Sequence, residues 1–262
     1  MRKAILLLIL ALFLASSGPA LAGDVLKIAT EGAYRPFNYV KPDGTLAGFD
    51  VDIAHALAKE MGLDKEDYEM VIQEWDGMIP GLLARKFDVI VASMSITDKR
   101  KEAVAFTEPY YYETGSFVAK EGADLEISKE GLKGKTVGVQ TATTWARYLE
   151  GVYGDVVDIK FYDSVQNHNL DLKSGRLDAV LATSFYMSSW LESEEGQGCE
   201  IVGEPVSDPE YIGEGVAIAL RKGEKELKKR LNKALDAIIA DGTHKKLARK
   251  YFSVDIYPYG KK

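Results

Sequence analysis

Four short stretches of this chain carry side chains able to hold a small charged molecule. Glu31-Gly32-Ala33-Tyr34-Arg35-Pro36-Phe37 offers a carboxylate for a cation and an aromatic ring that can lie along an aliphatic stem. Glu74-Trp75-Asp76-Gly77 adds an indole, and a desolvated cation over such a ring gains on the order of 2 kcal/mol. Ala92-Ser93-Met94-Ser95-Ile96-Thr97-Asp98-Lys99-Arg100 supplies hydroxyls and a guanidinium whose planar fork matches a carboxylate bidentately. Gln140-Thr141-Ala142-Thr143-Thr144 reads as a strand-to-helix turn, whose free N–H groups make a seat for an anion. Each stretch also has an ordinary structural use. Glu31 can be solvated, Pro36-Phe37 a turn with an aromatic plug, and Trp75 part of a core. Thr97 or Asp98 can cap a helix that leads into a solvated Lys99-Arg100-Lys101 run, and Thr143-Thr144 can do no more than cap.

The four stretches share one position in the predicted architecture. Apolar runs predict strands over 25–30, 68–73 and 87–91. Between them lie helices over 48–61, with Phe49, Ile53, Leu57 and Met61 on one stripe, and over 76–86. The order recurs as a strand over 136–139, a helix over 144–151, a strand over 156–162, a helix over 165–174 and a strand over 177–182. The third strands are even introduced alike: Leu82-Leu83-Ala84-Arg85-Lys86-Phe87-Asp88-Val89-Ile90 stands beside Leu172-Lys173-Ser174-Gly175-Arg176-Leu177-Asp178-Ala179-Val180. We read two α/β lobes, each a mainly parallel sheet flanked by helices; the alternative is one doubly wound sheet with a coincidental match. In open α/β sheets ligands bind at the carboxyl ends of strands, which selects the four loops and adds Thr183 after the last strand of the second lobe.

An irregular stretch over 203–215 precedes a strand over 215–220. A helix carrying Leu227, Leu231, Leu235 and Ile238 on one face follows, then a last short helix to about 251. These elements have no sheet of their own and are expected to return to the first lobe. Lobe 1 is then 23–111 plus 212–262 and lobe 2 is 112–211. Crossings near 110–115 and 206–214 would act as a hinge around a cleft.

Composition excludes several functions. Forty acidic against 33 basic residues give a net charge of −7, without the basic footprint of a nucleic-acid binder. One cysteine, Cys199, excludes an internal disulfide framework and a thiolate-rich zinc site. His55, His168 and His244 are dispersed, so neither a metal nor a cofactor is expected. No GxSxG, HExxH or Walker motif occurs, and no enzymatic role is assigned. Residues 1–22 read as a cleaved export signal: Arg2 and Lys3, an apolar run over 4–14 too short to span a bilayer comfortably, and Ala20-Leu21-Ala22 at the end. The mature chain is then expected in the periplasm.

At these loops the sequence resembles the periplasmic solute-binding proteins of ABC importers for polar amino acids, the lysine/arginine/ornithine and histidine type. The likeness runs from about 25 to 252. It is most specific at Gly48-Phe49-Asp50-Val51-Asp52, Ser95-Ile96-Thr97-Asp98-Lys99-Arg100, Gly134-Lys135-Thr136-Val137-Gly138-Val139 and Gly175-Arg176-Leu177-Asp178-Ala179. The resemblance implies the two-lobed Venus-flytrap fold, a monomer and a membrane permease as partner. It also implies that Arg100, Ser93 and the Thr144 backbone hold an α-carboxylate, and that Ser95 helps at the α-amino end. Tyr34 and Trp75 would sandwich the side chain, and Glu31 would meet a distal cation. Gln140 and Thr143 complete the set.

Two positions depart from the family pattern: Thr183 stands where an Asp usually meets the α-ammonium, and Ala92 replaces a common Ser. Glu31-Gly32, Trp75-Asp76-Gly77, Val137-Gly138-Val139-Gln140 and His168-Asn169-Leu170-Asp171-Leu172 are similar to the octopine/nopaline-binding branch. The expected ligand is therefore a cationic or guanidino amino acid, with an N-substituted derivative as a variant. The same architecture also carries periplasmic cyclohexadienyl dehydratases, for which Glu31 would be the proton donor.

Overall fold

The computed structural model describes residues 25–257, so the export-signal expectation over 1–22 lies outside the described residues. Strand Leu26–Thr30 pairs in parallel with Tyr68–Ile72 on one side and Val89–Ile90 on the other. Ala219–Leu220 then pairs antiparallel with Val89–Ile90, and Ala105–Phe106 closes the edge. A second five-stranded sheet has the order Asp158–Tyr162, Thr136–Gln140, Ala179–Thr183, Gly115–Lys120, Cys199–Val206, its first three strands parallel and its last two antiparallel to their neighbours. Both sheets are thus mixed, not simply parallel. The antiparallel strands Gly115–Lys120 and Cys199–Val206 were not expected, because each adjoins a connection between the sheets and stands outside the strand–helix alternation.

The repeat seen in the sequence has a physical counterpart. Asp88, just before the third strand of the first sheet, accepts the Lys27 N–H at 3.0 Å. Asp178, at the matching place in the second, accepts the Thr136 N–H at 2.8 Å. In each sheet an aspartate just before the third strand accepts a backbone N–H near the start of the leading strand, so the same residue type recurs at the same register.

Helix Phe49–Glu60 buries Phe49, Ile53 and Leu57 on its inner stripe, as its spacing predicts. Asp50 in its first turn is fully buried and accepts from Asn38 Nδ2 at 2.8 Å, Ser93 Oγ at 2.8 Å and Tyr110 Oη at 2.6 Å. Those bonds tie the helix start to the loop after the third strand. Gly48 before it has φ 123°, and a Cβ there would meet the Phe37 carbonyl oxygen at 2.2 Å. The helix therefore starts where backbone packs directly on backbone.

Several boundaries shift. The helix expected over 76–86 is a 3₁₀ turn at Trp75–Gly77 running into Met78–Leu83. The strand over 215–220 is regular only at Ala219–Leu220, although Val216 bridges both Ser95 and Tyr111. A small sheet of Ala33–Tyr34, Asn38–Val40 and Leu46–Ala47, and helix Ser184–Leu191, were not expected. Within the stretch read as irregular, Pro209–Ile212 forms one helical turn capped by Asp208. Lys225–Ala240 and Thr243–Tyr251 pack back against Phe49–Glu60. No helix among the described residues is long and apolar enough to cross a membrane.

Candidate functional site

The carboxyl ends of strands in both sheets face one shared cavity, lined by residues of each. Glu31, Tyr34, Trp75, Ala92, Ser93, Ser95 and Arg100 line it from the first sheet's loops. Gln140, Thr143, Thr144 and Thr183 line it from the second. The structure thus brings together all eleven residues singled out in the sequence. It adds Glu113, Trp145, Val165, Leu181 and Ala182.

Arg100 answers the question its neighbours left open. Thr97 caps the short helix Asp98–Lys101 by accepting the Arg100 N–H at 3.2 Å, and Asp98 and Lys99 are exposed. Arg100 alone turns inward. Its Nη1 donates to the Ser95 carbonyl at 2.9 Å and its Nη2 to the Ala142 carbonyl at 3.2 Å, while its guanidinium lies 5.3 Å from the Trp75 ring centre. Burial lowers its pKa to about 10, so it remains a cation at neutral pH. Five guanidinium N–H groups leave donors free for an anion.

Opposite stands helix Thr144–Tyr153. Thr143 caps it, accepting from Ala146 N at 3.1 Å and donating its hydroxyl to the Gln140 carbonyl at 2.7 Å. The first backbone N–H groups of the helix have no intrahelical acceptor. Two residues hold left-handed backbone here, Ser93 in the cavity wall at φ 54° and Ala142, which contacts Arg100, at φ 58°. Such conformations cost a non-glycine residue roughly 1–2 kcal/mol. Here they turn the Ser93 hydroxyl onto Asp50 and the Ala142 carbonyl onto Arg100.

Two carboxylates border the same cavity. Glu31 is buried, and burial pushes its pKa up to about 7 although its bond from Gln140 Nε2, at 2.7 Å, lowers it. Glu113 lies between strands Ala105–Phe106 and Gly115–Lys120, and its pKa is likewise pushed to about 7, by burial first. Its two oxygens accept from Ser95 Oγ at 2.9 Å and Thr183 Oγ1 at 2.7 Å. Among the described residues, neither carboxylate forms an ion pair with a basic side chain.

The aromatic residues are arranged differently from a simple sandwich. Tyr34 stacks on Tyr186 at 4.8 Å and 5°, and lies nearly parallel to Phe37 at 5.4 Å and 18°. Trp75 faces Arg100. Both rings border the cavity, but each already has a partner in the protein. Among the residues set aside, His55 bonds Tyr68 at the surface, His168 and His244 are fully buried, and Cys199 is half-buried. No cluster able to hold a metal occurs among the described residues.

Residues 26–254 match the family described as bacterial extracellular solute-binding proteins, family 3. The chain is 46% identical to an L-arginine-binding protein of Pseudomonas aeruginosa over 98% of its own length and 99% of the relative's. It is 35% identical to an octopine-binding periplasmic protein of Rhizobium meliloti, over 95% and 97% of the two lengths. An ancestral arginine-binding protein solved with arginine superposes with a TM-score of 0.80 at 38% identity, covering 87% of this chain and 98% of that one.

Proposed function

The chain belongs to the bacterial extracellular solute-binding proteins of family 3, and on that premise we propose that it is the extracytoplasmic component of an ABC importer, closing two hinged lobes on an amino acid with a cationic, guanidino-type side chain. The observation that carries this reading is the charge layout of the cavity. A guanidinium lies beside a helix N-terminus, and a buried carboxylate without a basic partner lies at Glu31. Arg100 with the Thr144 backbone takes the α-carboxylate and Glu31 takes the side-chain cation; Ser93, expected to share the carboxylate, borders it with its hydroxyl donated to Asp50. Tyr34 and Trp75 bound the stem between them, and Ala92, Ser95, Gln140, Thr143 and Thr183 complete the wall. The names of the Pseudomonas and ancestral relatives support arginine as the first ligand, and the octopine-binding relative supports an N-substituted arginine as the second.

The lobes in this reading are 23–111 with 212–262, and 112–211, hinged near 110–115 and 206–214. The sheet memberships of Ala105–Phe106, Gly115–Lys120, Cys199–Val206 and Ala219–Leu220 support it. A ligand that touches both lobes binds the closed form better and shifts the equilibrium by that difference. The closed form is what a permease recognises, and residues 1–22 direct the chain to the periplasm. The dehydratase alternative would use the same buried Glu31, its pKa raised to about 7, as its proton donor, and incubation with prephenate or arogenate separates the two readings.

Thermal unfolding and calorimetry against arginine, lysine, ornithine, octopine and neutral amino acids test the assignment. Arginine at 100 times its Kd stabilises the fold by about 2.7 kcal/mol. Tight binding of neutral apolar amino acids, without affinity for arginine or its opines, would refute it.

A further inference from the structure

We propose that Glu113, on the segment joining the two sheets, binds the α-ammonium of the ligand and supplies the charge that Thr183 lacks. The assignment rests on the amino-acid reading above and goes beyond it, because it moves an essential charge from a sheet end to the connection between sheets.

The argument begins with unused acceptors. A carboxylate has about four lone-pair sites, and Glu113 fills two of them, with the hydroxyls of Ser95 and Thr183. Taking a carboxylate out of water is costly, and the two hydroxyls together with the charge of Arg100, which lies near but forms no ion pair with Glu113, offset only part of that cost. Glu113 borders the cavity, so a cation in direct contact with it can come from the ligand.

Position then selects which ligand cation. Arg100 donates to the Ser95 carbonyl at 2.9 Å, and the Ser95 hydroxyl donates to Glu113 at 2.9 Å. One residue therefore holds the anion-binding fork and the cation-binding carboxylate side by side. An α-amino acid carries its anion and its cation on the same carbon, which matches that spacing. Glu31, tied instead to Gln140, is left for the far end of the ligand.

The neutral residue at 183 becomes intelligible in the same terms. Thr183 Oγ1 accepts from Trp145 Nε1 at 3.2 Å and donates to Glu113 at 2.7 Å, so it orients the carboxylate. An Asp at 183 would set two carboxylates within hydrogen-bond distance, and such a pair cannot readily ionise together. Thr183 and Glu113 form one coupled arrangement, in which the acid sits on the crossing and the hydroxyl holds it.

The test compares L-arginine with 5-guanidinopentanoate, which keeps the guanidinium and carboxylate but lacks the α-amine, by calorimetry on the mature protein. Wild type is expected to prefer arginine by about 100-fold or more. Glu113→Gln, an isosteric change, should abolish most of that preference while altering 5-guanidinopentanoate binding by less than about threefold. Adding Thr183→Asp to Glu113→Gln should restore at least about tenfold of arginine affinity by returning a carboxylate to the site. Equal weakening of both compounds in Glu113→Gln, an unchanged preference, or no rescue in the double variant overturns the assignment to Glu113. A wild type that binds 5-guanidinopentanoate as well as arginine overturns it too. A wild type that binds neither compound overturns the arginine reading itself.

Discussion

Gln140 reaches across the cleft and donates its side-chain amide to Glu31 at 2.7 Å, joining the end of strand Thr136–Gln140 in the second sheet to the loop after the first strand of the other. The same amide also donates to the Asp163 carbonyl at 2.9 Å, so Glu31 is oriented by a group that is itself fixed. A carboxylate held this way can discriminate a cationic tip from its neutral isostere. Glu31→Gln is expected to cost arginine about 2–5 kcal/mol while leaving citrulline nearly unaffected. Parallel titrations of the two amino acids check this, and equal losses for both would remove Glu31 from contact with the side chain.

Arg100 should be intolerant even of lysine. Lysine cannot reproduce a fork that donates to the Ser95 and Ala142 carbonyls while presenting further donors to a carboxylate. Arg100→Ala is expected to weaken binding by about 2–5 kcal/mol, and Arg100→Lys by a substantial part of that. An unchanged Kd for Arg100→Ala would take Arg100 out of the site.

Affinity for a cationic amino acid should depend on pH with a definite sign. Burial raises both Glu31 and Glu113 to about 7 in the ligand-free protein, so both hold protons below that value. A cation binds the ionised forms, and those protons must leave on binding. Below pH 7 affinity should fall by up to about tenfold per pH unit for each linked carboxylate, and level off above it. Calorimetry at pH 6 in buffers of different ionisation enthalpy should register proton release. Proton uptake, or none, would contradict the linkage.

Acid should unfold the protein partly through His168. Its ring is fully buried beside Tyr162 and burial pushes its pKa to about 3. The unfolded chain takes up this proton below its ordinary value of about 6.5 and the folded chain does not, so stability falls as pH drops through that window. The loss is on the order of 5 kcal/mol when complete, below about pH 3. Urea unfolding of His168→Leu should show a shallower decline between pH 6.5 and 4 than wild type, and an identical slope would acquit His168.

Much of this was legible in the sequence, for definite reasons. Strand-to-helix connections announce themselves by an apolar run followed by a capping residue, and Ser93, Arg100, Gln140 and Thr143 all lie in or at the ends of such connections. The repeat around Asp88 and Asp178 was visible because the same register demands the same acceptor. Glu113 was missed because it lies between two antiparallel strands, Ala105–Phe106 and Gly115–Lys120, where no helix follows and the carboxyl-end rule does not look. Its signal was nonetheless present: an acid within the stretch already read as a crossing beside a cleft. The partners of Tyr34 were equally hidden, since Tyr186 lies 152 positions away on a helix the apolar pattern did not announce.

Two of the three tryptophans, Trp75 and Trp145, border the cavity, the first against a guanidinium and the second bonded to Thr183. Indole emission responds to nearby charge and to solvent. Filling the cleft therefore alters the fluorescence of the unmodified protein, which carries its own optical gauge of occupancy. A dye would add nothing that these two side chains do not already report.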